Sequence, residues 1–138
     1  MAEAEALSFT FDPATSSTMG HYSLGTVYEE YGRSYTTLGQ IQKAMEYLDR
    51  AEAALPSTKF WQLLVVTART MVLVKGGEIR SGVQLAIQAA NECRATGNLR
   101  YLERIYAVQQ YLDGLKREIE QISTPLRETL DEGHSTEL

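Results

Sequence analysis

The sequence predicts an all-α fold of stacked antiparallel helix pairs, and three observations carry that prediction. Between Tyr28 and Pro56, large residues (Tyr28, Tyr31, Tyr35, Leu48, Leu55) and small ones (Gly32, Ala44, Ala51) recur at helical spacing on both sides of Gly39. Two helices touching across a tight turn require that pattern. Gly76-Gly77 and Gly97-Asn98 punctuate the rest of the chain in the same way. Beyond them, Tyr101, Ile105, Val108, Leu112, Leu115, Ile119, Ile122, Leu126 and Leu130 advance in steps of 4, 3, 4, 3, 4, 3, 4 and 4, nearly a heptad seam.

Taken in order, residues 2–7 (Ala-Glu-Ala-Glu-Ala-Leu) favour helix and read either as the tail of an earlier helix or as a frayed terminus. Ser8 to Phe11 lead into Asp12-Pro13, a cap followed by proline at the first helical position, with Phe9 and Phe11 expected to pin this entry. The first long helix is expected over about residues 16–38, with Met19, Tyr22, Val27, Tyr28, Tyr31, Tyr35 and Leu38 at helical spacing. Gly20 and Gly25 are the points where it would start late or bend, and Gly32 leaves room for a partner helix. Gly39 stops it. A second helix over about 41–55 buries Ala44, Met45, Leu48, Ala51 and Leu55 and wets Glu46, Asp49 and Arg50.

After Pro56, Ser57 and Thr58 offer a cap for a third helix over about 59–75. That helix is apolar on most sides, as one buried between neighbours would be. Its Leu63–Val66 run suits a strand by β-branching, but the length of the pattern assigns helix. A fourth helix over about 78–94 packs through Ile79, Gly82, Val83, Ala86, Ala89, Ala90 and Cys93. A fifth runs from about 99 to 122, with Gly114 a candidate bend. Thr124 then caps a short last helix, 125–132, before a polar tail.

At 138 residues the chain has one domain's length, 1–138. Its net charge is −5 with bases scattered, which speaks against direct nucleic-acid binding, where a basic face neutralises phosphates. No apolar run approaches the ~18 residues of a membrane span. Glu3 and Glu5 stand where a secretion signal carries bases. A single cysteine, Cys93, fits a reducing, cytoplasmic setting. Catalytic chemistry finds no constellation. His21 and His134 are the only histidines, no metal-ligand spacing occurs, and Lys75-Gly76-Gly77 follows a helix rather than a strand. Cys93 lies on a packing face, where a structural thiol is expected. No enzyme activity, metal or cofactor is therefore expected. Arg69 is expected to be partly buried against a carboxylate or helix-end carbonyls, and the tyrosines and Trp61 to pack helices.

The motif Tyr28-x-x-Tyr31-Gly32-x-x-Tyr35, Gly39, Ala44-x-x-x-Leu48, Ala51, Pro56 resembles a tetratricopeptide repeat over residues 25–58. Residues 59–96 resemble a worn copy, with Gly82, Ala86 and Ala89 at the places of Ala44, Leu48 and Ala51, and Arg69-Thr70 replacing Tyr31-Gly32. Gly39 and Gly77 stand 38 residues apart, four beyond the ~34-residue period. Residues 97–132 would be a degenerate third repeat or a capping helix. Tyr47-Leu48-Asp49-Arg50-Ala51 and Ala95-Thr96-Gly97-Asn98 also resemble the C-terminal repeat region of bacterial helix-turn-helix transcriptional regulators. That second likeness implies the sensor part of such a regulator, although no DNA-reading segment is visible.

The tetratricopeptide resemblance implies a short right-handed superhelix, a non-catalytic scaffold that binds a protein or peptide in its inner groove. Carried over by position, the groove takes Thr26, Glu29, Glu30, Arg33, Thr36 and Thr37 from the first repeat and Leu64, Thr67, Ala68, Met71 and Lys75 from the second. This surface lacks a basic clamp for a terminal carboxylate, so a peptide with basic and apolar side chains is the expected partner. Each of these residues also reads as an ordinary solvated face. The seam from Tyr101 to Leu130 has two readings of its own, a cap folded on the last pair or a surface for homodimerisation.

Overall fold

The computed structural model describes the backbone of residues 13–137 and the side chains of residues 24–133. The expectations for residues 2–12 and for the side chains of Met19, His21, Tyr22 and His134 lie outside the described residues. Five helices account for the described chain: α1 Pro13–Thr37, α2 Ile41–Ala54, α3 Lys59–Lys75, α4 Ile79–Thr96 and α5 Leu99–Glu137. Among the described residues there is no strand, and Leu63–Val66 lies within α3. The chain divides into two units, residues 1–105 and residues 106–138.

Contacts fix the directions of the first four helices. Gly25, at the middle of α1, meets Leu55 just beyond α2, while Gly32, two turns later, meets Leu48 and Ala44, so α1 and α2 run antiparallel. A Cβ on Gly32 would stand 2.6 Å from Leu48 Cδ2, so the absent side chain sets how closely the helices approach. Lys59 at the start of α3 pairs with Glu92 near the end of α4 at 3.4 Å, which makes that pair antiparallel too. Ile41 reaches Gly76, and so the start of α2 sits beside the end of α3.

Three helix stops share one geometry. After α1, the Gln40 N–H donates to Tyr35 O at 2.9 Å; after α3, Glu78 donates to Leu73 O at 2.8 Å; after α4, Asn98 donates to Cys93 O at 2.8 Å. Each places a left-handed glycine at the turn (Gly39, Gly77, Gly97), the Schellman arrangement that satisfies the last carbonyls of a helix. Asn98 then opens α5 by accepting the Tyr101 N–H on Oδ1 at 3.2 Å. At the start of α3, Thr58 occupies the cap position without a side-chain bond. Gln62 Nε2 instead donates to Ser57 O at 3.1 Å.

The core of the first unit forms where the helical pattern places it. Ala44, Leu48, Ala51, Leu63, Val72 and Cys93 are buried together with Leu55, Leu64, Val65 and Ala68. Removing this apolar surface from water is the main drive for the fold. α3 is buried around much of its circumference, including Thr67 and Thr70. Their hydroxyls donate back to Leu63 O and Thr67 O, both at 2.7 Å, which satisfies polar atoms that would otherwise be costly inside. Tyr47 of α2 collects the rings of Tyr28, Tyr31 and Tyr35 within 5.1–5.9 Å.

Two expectations are corrected. Ile79, expected on the packing face of α4, is exposed, while Gly82, Ala86, Ala89 and Cys93 are buried. Ile79 is the first residue of α4, so it lies at the rim of the contact. The break expected at Pro125 does not occur, and α5 continues through it to Glu137. Proline removes the donor to Gln121 O and its ring crowds that carbonyl, but residues 121 and 122 are exposed, so the carbonyl can tilt outward and bond solvent. Thr124 Oγ1 donates to Glu120 O at 2.7 Å and Thr129 Oγ1 to Pro125 O at 2.8 Å, so hydroxyls hold the turns on either side.

Candidate functional site

One carboxylate stands apart from the other charges of the first unit. The Glu29 side chain, in the middle of α1, is only 2% exposed. A buried ionised carboxylate must be paired and hydrogen-bonded, and two arginines supply this. Arg33, one turn on, donates through Nε to Oε2. Arg104, in the first turns of α5, reaches across with its terminal nitrogens at 3.3 Å to Oε2 and 3.4 Å to Oε1. Arg104 also donates to Leu64 O at 2.9 Å and to Thr67 Oγ1 at 3.4 Å. The network thus joins α1 and α3, the first helices of the two antiparallel pairs, to the start of α5.

Aromatic rings flank it. The Arg104 guanidinium lies 5.0 Å from the Tyr101 ring, which is itself 5.4 Å from Phe60. Burial pushes the Tyr101 hydroxyl above its ordinary value; nearby Arg104 pulls it down and Glu29 pushes it up. The Cys93 thiol is raised by burial and then by Glu92, the opposite of the shift that activates a nucleophile.

The residues expected in the groove are distributed unevenly. Glu29, Thr36, Leu64, Thr67 and Ala68 are buried; Thr26, Met71 and Lys75 are half-buried; Glu30, Arg33 and Thr37 are exposed. Thr36 Oγ1 donates to Gly32 O at 2.7 Å and Thr37 Oγ1 to Arg33 O at 3.2 Å, so both hydroxyls serve the helix itself. Glu29, Arg33, Leu64 and Thr67 come together around one carboxylate. Arg104 and Tyr101 complete that cluster; neither was among the residues expected in the groove, Tyr101 being read from sequence only as the start of the seam. The signal that places them together is position: they stand three apart in the first turns of α5.

Away from this network, a concavity of about 270 Å³ lies where the end of α2 meets α3 and α4, lined by Glu52, Trp61, Val66, Arg69 and Leu85 among others. Arg69, expected to be partly buried, is bonded there to Asp49 at 2.8 Å and Glu52 at 2.7 Å. Its charges are paired among themselves. Among the described residues no group of His, Cys, Asp and Glu is placed to hold a metal ion, and no helix is long and apolar enough to cross a membrane. Compared with protein-family models, curated proteins and solved structures, the chain matches none.

Proposed function

We propose that this chain is a non-catalytic protein- or peptide-binding module of the tetratricopeptide kind, which recognises its partner on the face shared by α1, α3 and the start of α5. The observation that supports this reading is the Glu29–Arg33–Arg104 network. It ties α1 and α3, the first helices of the two antiparallel pairs, to the start of α5, and a repeat array builds its inner surface from such leading helices. With Glu29 consumed inside the network, the accessible polar groups of the face are Glu30, Arg33 and Thr37. Arg33 is bonded through Nε while its side chain stays 47% exposed, which leaves its terminal N–H groups for an acceptor on the partner. Met71, half-buried on α3 one turn beyond Thr67, supplies an adaptable apolar contact.

Selection from a displayed random-peptide library tests this reading. Peptides bound by the chain should lose at least tenfold in affinity to a Glu30→Ala or Met71→Ala variant, with thermal stability preserved. Selection of no binder, or of binders indifferent to both variants, would overturn it.

A further inference from the structure

The seam of α5 does not end with the first unit. Leu112, Leu115, Ile119, Ile122 and Leu126 carry the alternating three- and four-residue steps on through the second. Ile119, Ile122, Leu126 and Leu130 are 55%, 67%, 61% and 64% exposed. Singly exposed apolar residues are ordinary, but a regular stripe of them is not. A stripe repeating every ~3.5 residues drifts around a straight helix of ~3.6 residues per turn, and it stays covered only by another helix that supercoils with it. That identifies the chemistry of the occupant as a helix with the same period.

We propose that this helix is α5 of a second copy, paired parallel and in register over about residues 112–130. Register decides the orientation. In a parallel pair each layer meets itself, so all five layers from Leu112 to Leu126 are apolar on both sides. An antiparallel pair centred on Ile119 and Ile122 sets Leu112 against Thr129 at both ends, where the parallel pair confines Thr129 to one layer facing itself, and the alternative antiparallel register sets Leu126 against Val108, outside the exposed stretch. The flanks agree. In the parallel pair Tyr111 of one copy neighbours Lys116 of the other, Glu118 neighbours Ser123, and Pro125 neighbours Leu130. No like charges meet, and Leu130, one place off the seam, gains an apolar partner. About 20 residues is roughly 30 Å of helix, a contact at the low end of specific interfaces, so the pair should form reversibly with a Kd above about 1 µM. This pairing is independent of the peptide-binding face proposed above.

Sedimentation equilibrium of the full chain tests the pairing. Its mass should rise with concentration from 15.4 kDa toward twice that value. Ile122→Glu should remain at 15.4 kDa with its far-UV circular dichroism retained. Ile87→Glu, which alters an exposed isoleucine of α4, should behave like the parent. A chain that stays at 15.4 kDa up to roughly 1 mM overturns the proposal, whether the seam is then covered by another protein or by the chain's own N-terminal residues. Leu126→Cys reads the orientation, since mild oxidation should couple two copies through this layer only when they are parallel. Cys93, fully buried, should not interfere. A dimer that Leu126→Cys does not cross-link overturns the parallel register.

Discussion

Replacing Arg104 with methionine keeps much of the side chain's length and removes its charge. At an effective dielectric of ~20, unit charges 3.3 Å apart attract by about 5 kcal/mol before desolvation is counted. Two features reduce the net loss: Arg33 stays with Glu29, and the Arg104 side chain is 22% exposed. Two further donors are lost, to Leu64 O and Thr67 Oγ1. Leaving a buried charge short of its partner costs about 3–5 kcal/mol in general, so about 2–3 kcal/mol is expected here. At ~4–8 °C per kcal/mol for a unit of this size, the midpoint of thermal unfolding should fall by about 10–20 °C. Urea unfolding followed by circular dichroism measures the change directly. The double variant Glu29→Met/Arg104→Met should recover to within about 1 kcal/mol of the parent, because it removes the stranded charge as well. A single variant within about 0.5 kcal/mol of the parent would refute the network, as would a double variant whose loss equals the sum of the single ones.

Gly32→Ala should cost about 1–3 kcal/mol in urea unfolding, since its methyl meets Leu48 Cδ2 at 2.6 Å and must push α1 from α2. Gly97→Ala, at φ +72° with open space around it, should cost only about 1 kcal/mol, all of it backbone strain. Cys93 should stay unmodified by a thiol reagent in the native chain and react at once in 6 M guanidinium, because it is fully buried and its pKa is raised. Tyr101 gives a pH signature. Its hydroxyl is raised above the ordinary 10.0 in the fold, so the unfolded chain releases that proton first as pH climbs. Its contribution to stability is complete below about pH 10 and is lost as pH rises through the folded-state value. Tyr101→Phe should therefore flatten the fall of unfolding free energy above pH 10.

Local chemistry made most of the fold legible. The stripe Ala44, Leu48, Ala51 and the stops at Gly39, Gly77 and Gly97 are each set within a turn or two of chain, and helix, burial and turn geometry all follow them. Arg69 was legible too, because a lone charge on an otherwise apolar helix needs a carboxylate. The Glu29–Arg104 contact was not legible. It spans 75 residues, and nothing near either residue marks it; Glu29 looks like any acid beside Glu30 on a wet helix face. Only the stacking of pairs brings the two together, and that turns an expected ligand contact into an internal brace. Pro125 misled for the opposite reason. As a local signal it is strong, yet an exposed helix with hydroxyl donors on both sides runs through it. The lesson for the candidate face is that its exposed members, Glu30, Arg33 and Thr37, had to be sorted from the buried ones by packing.

The most direct test of the recognition face is amide chemical-shift mapping of the isotope-labelled chain titrated with a library-selected peptide. The account predicts saturable shifts centred on Glu30, Arg33, Met71 and the neighbouring turns of α1 and α3. Shifts confined to α2, α4 and the first turn of α3, around Arg50, Trp61 or Leu85, would contradict it.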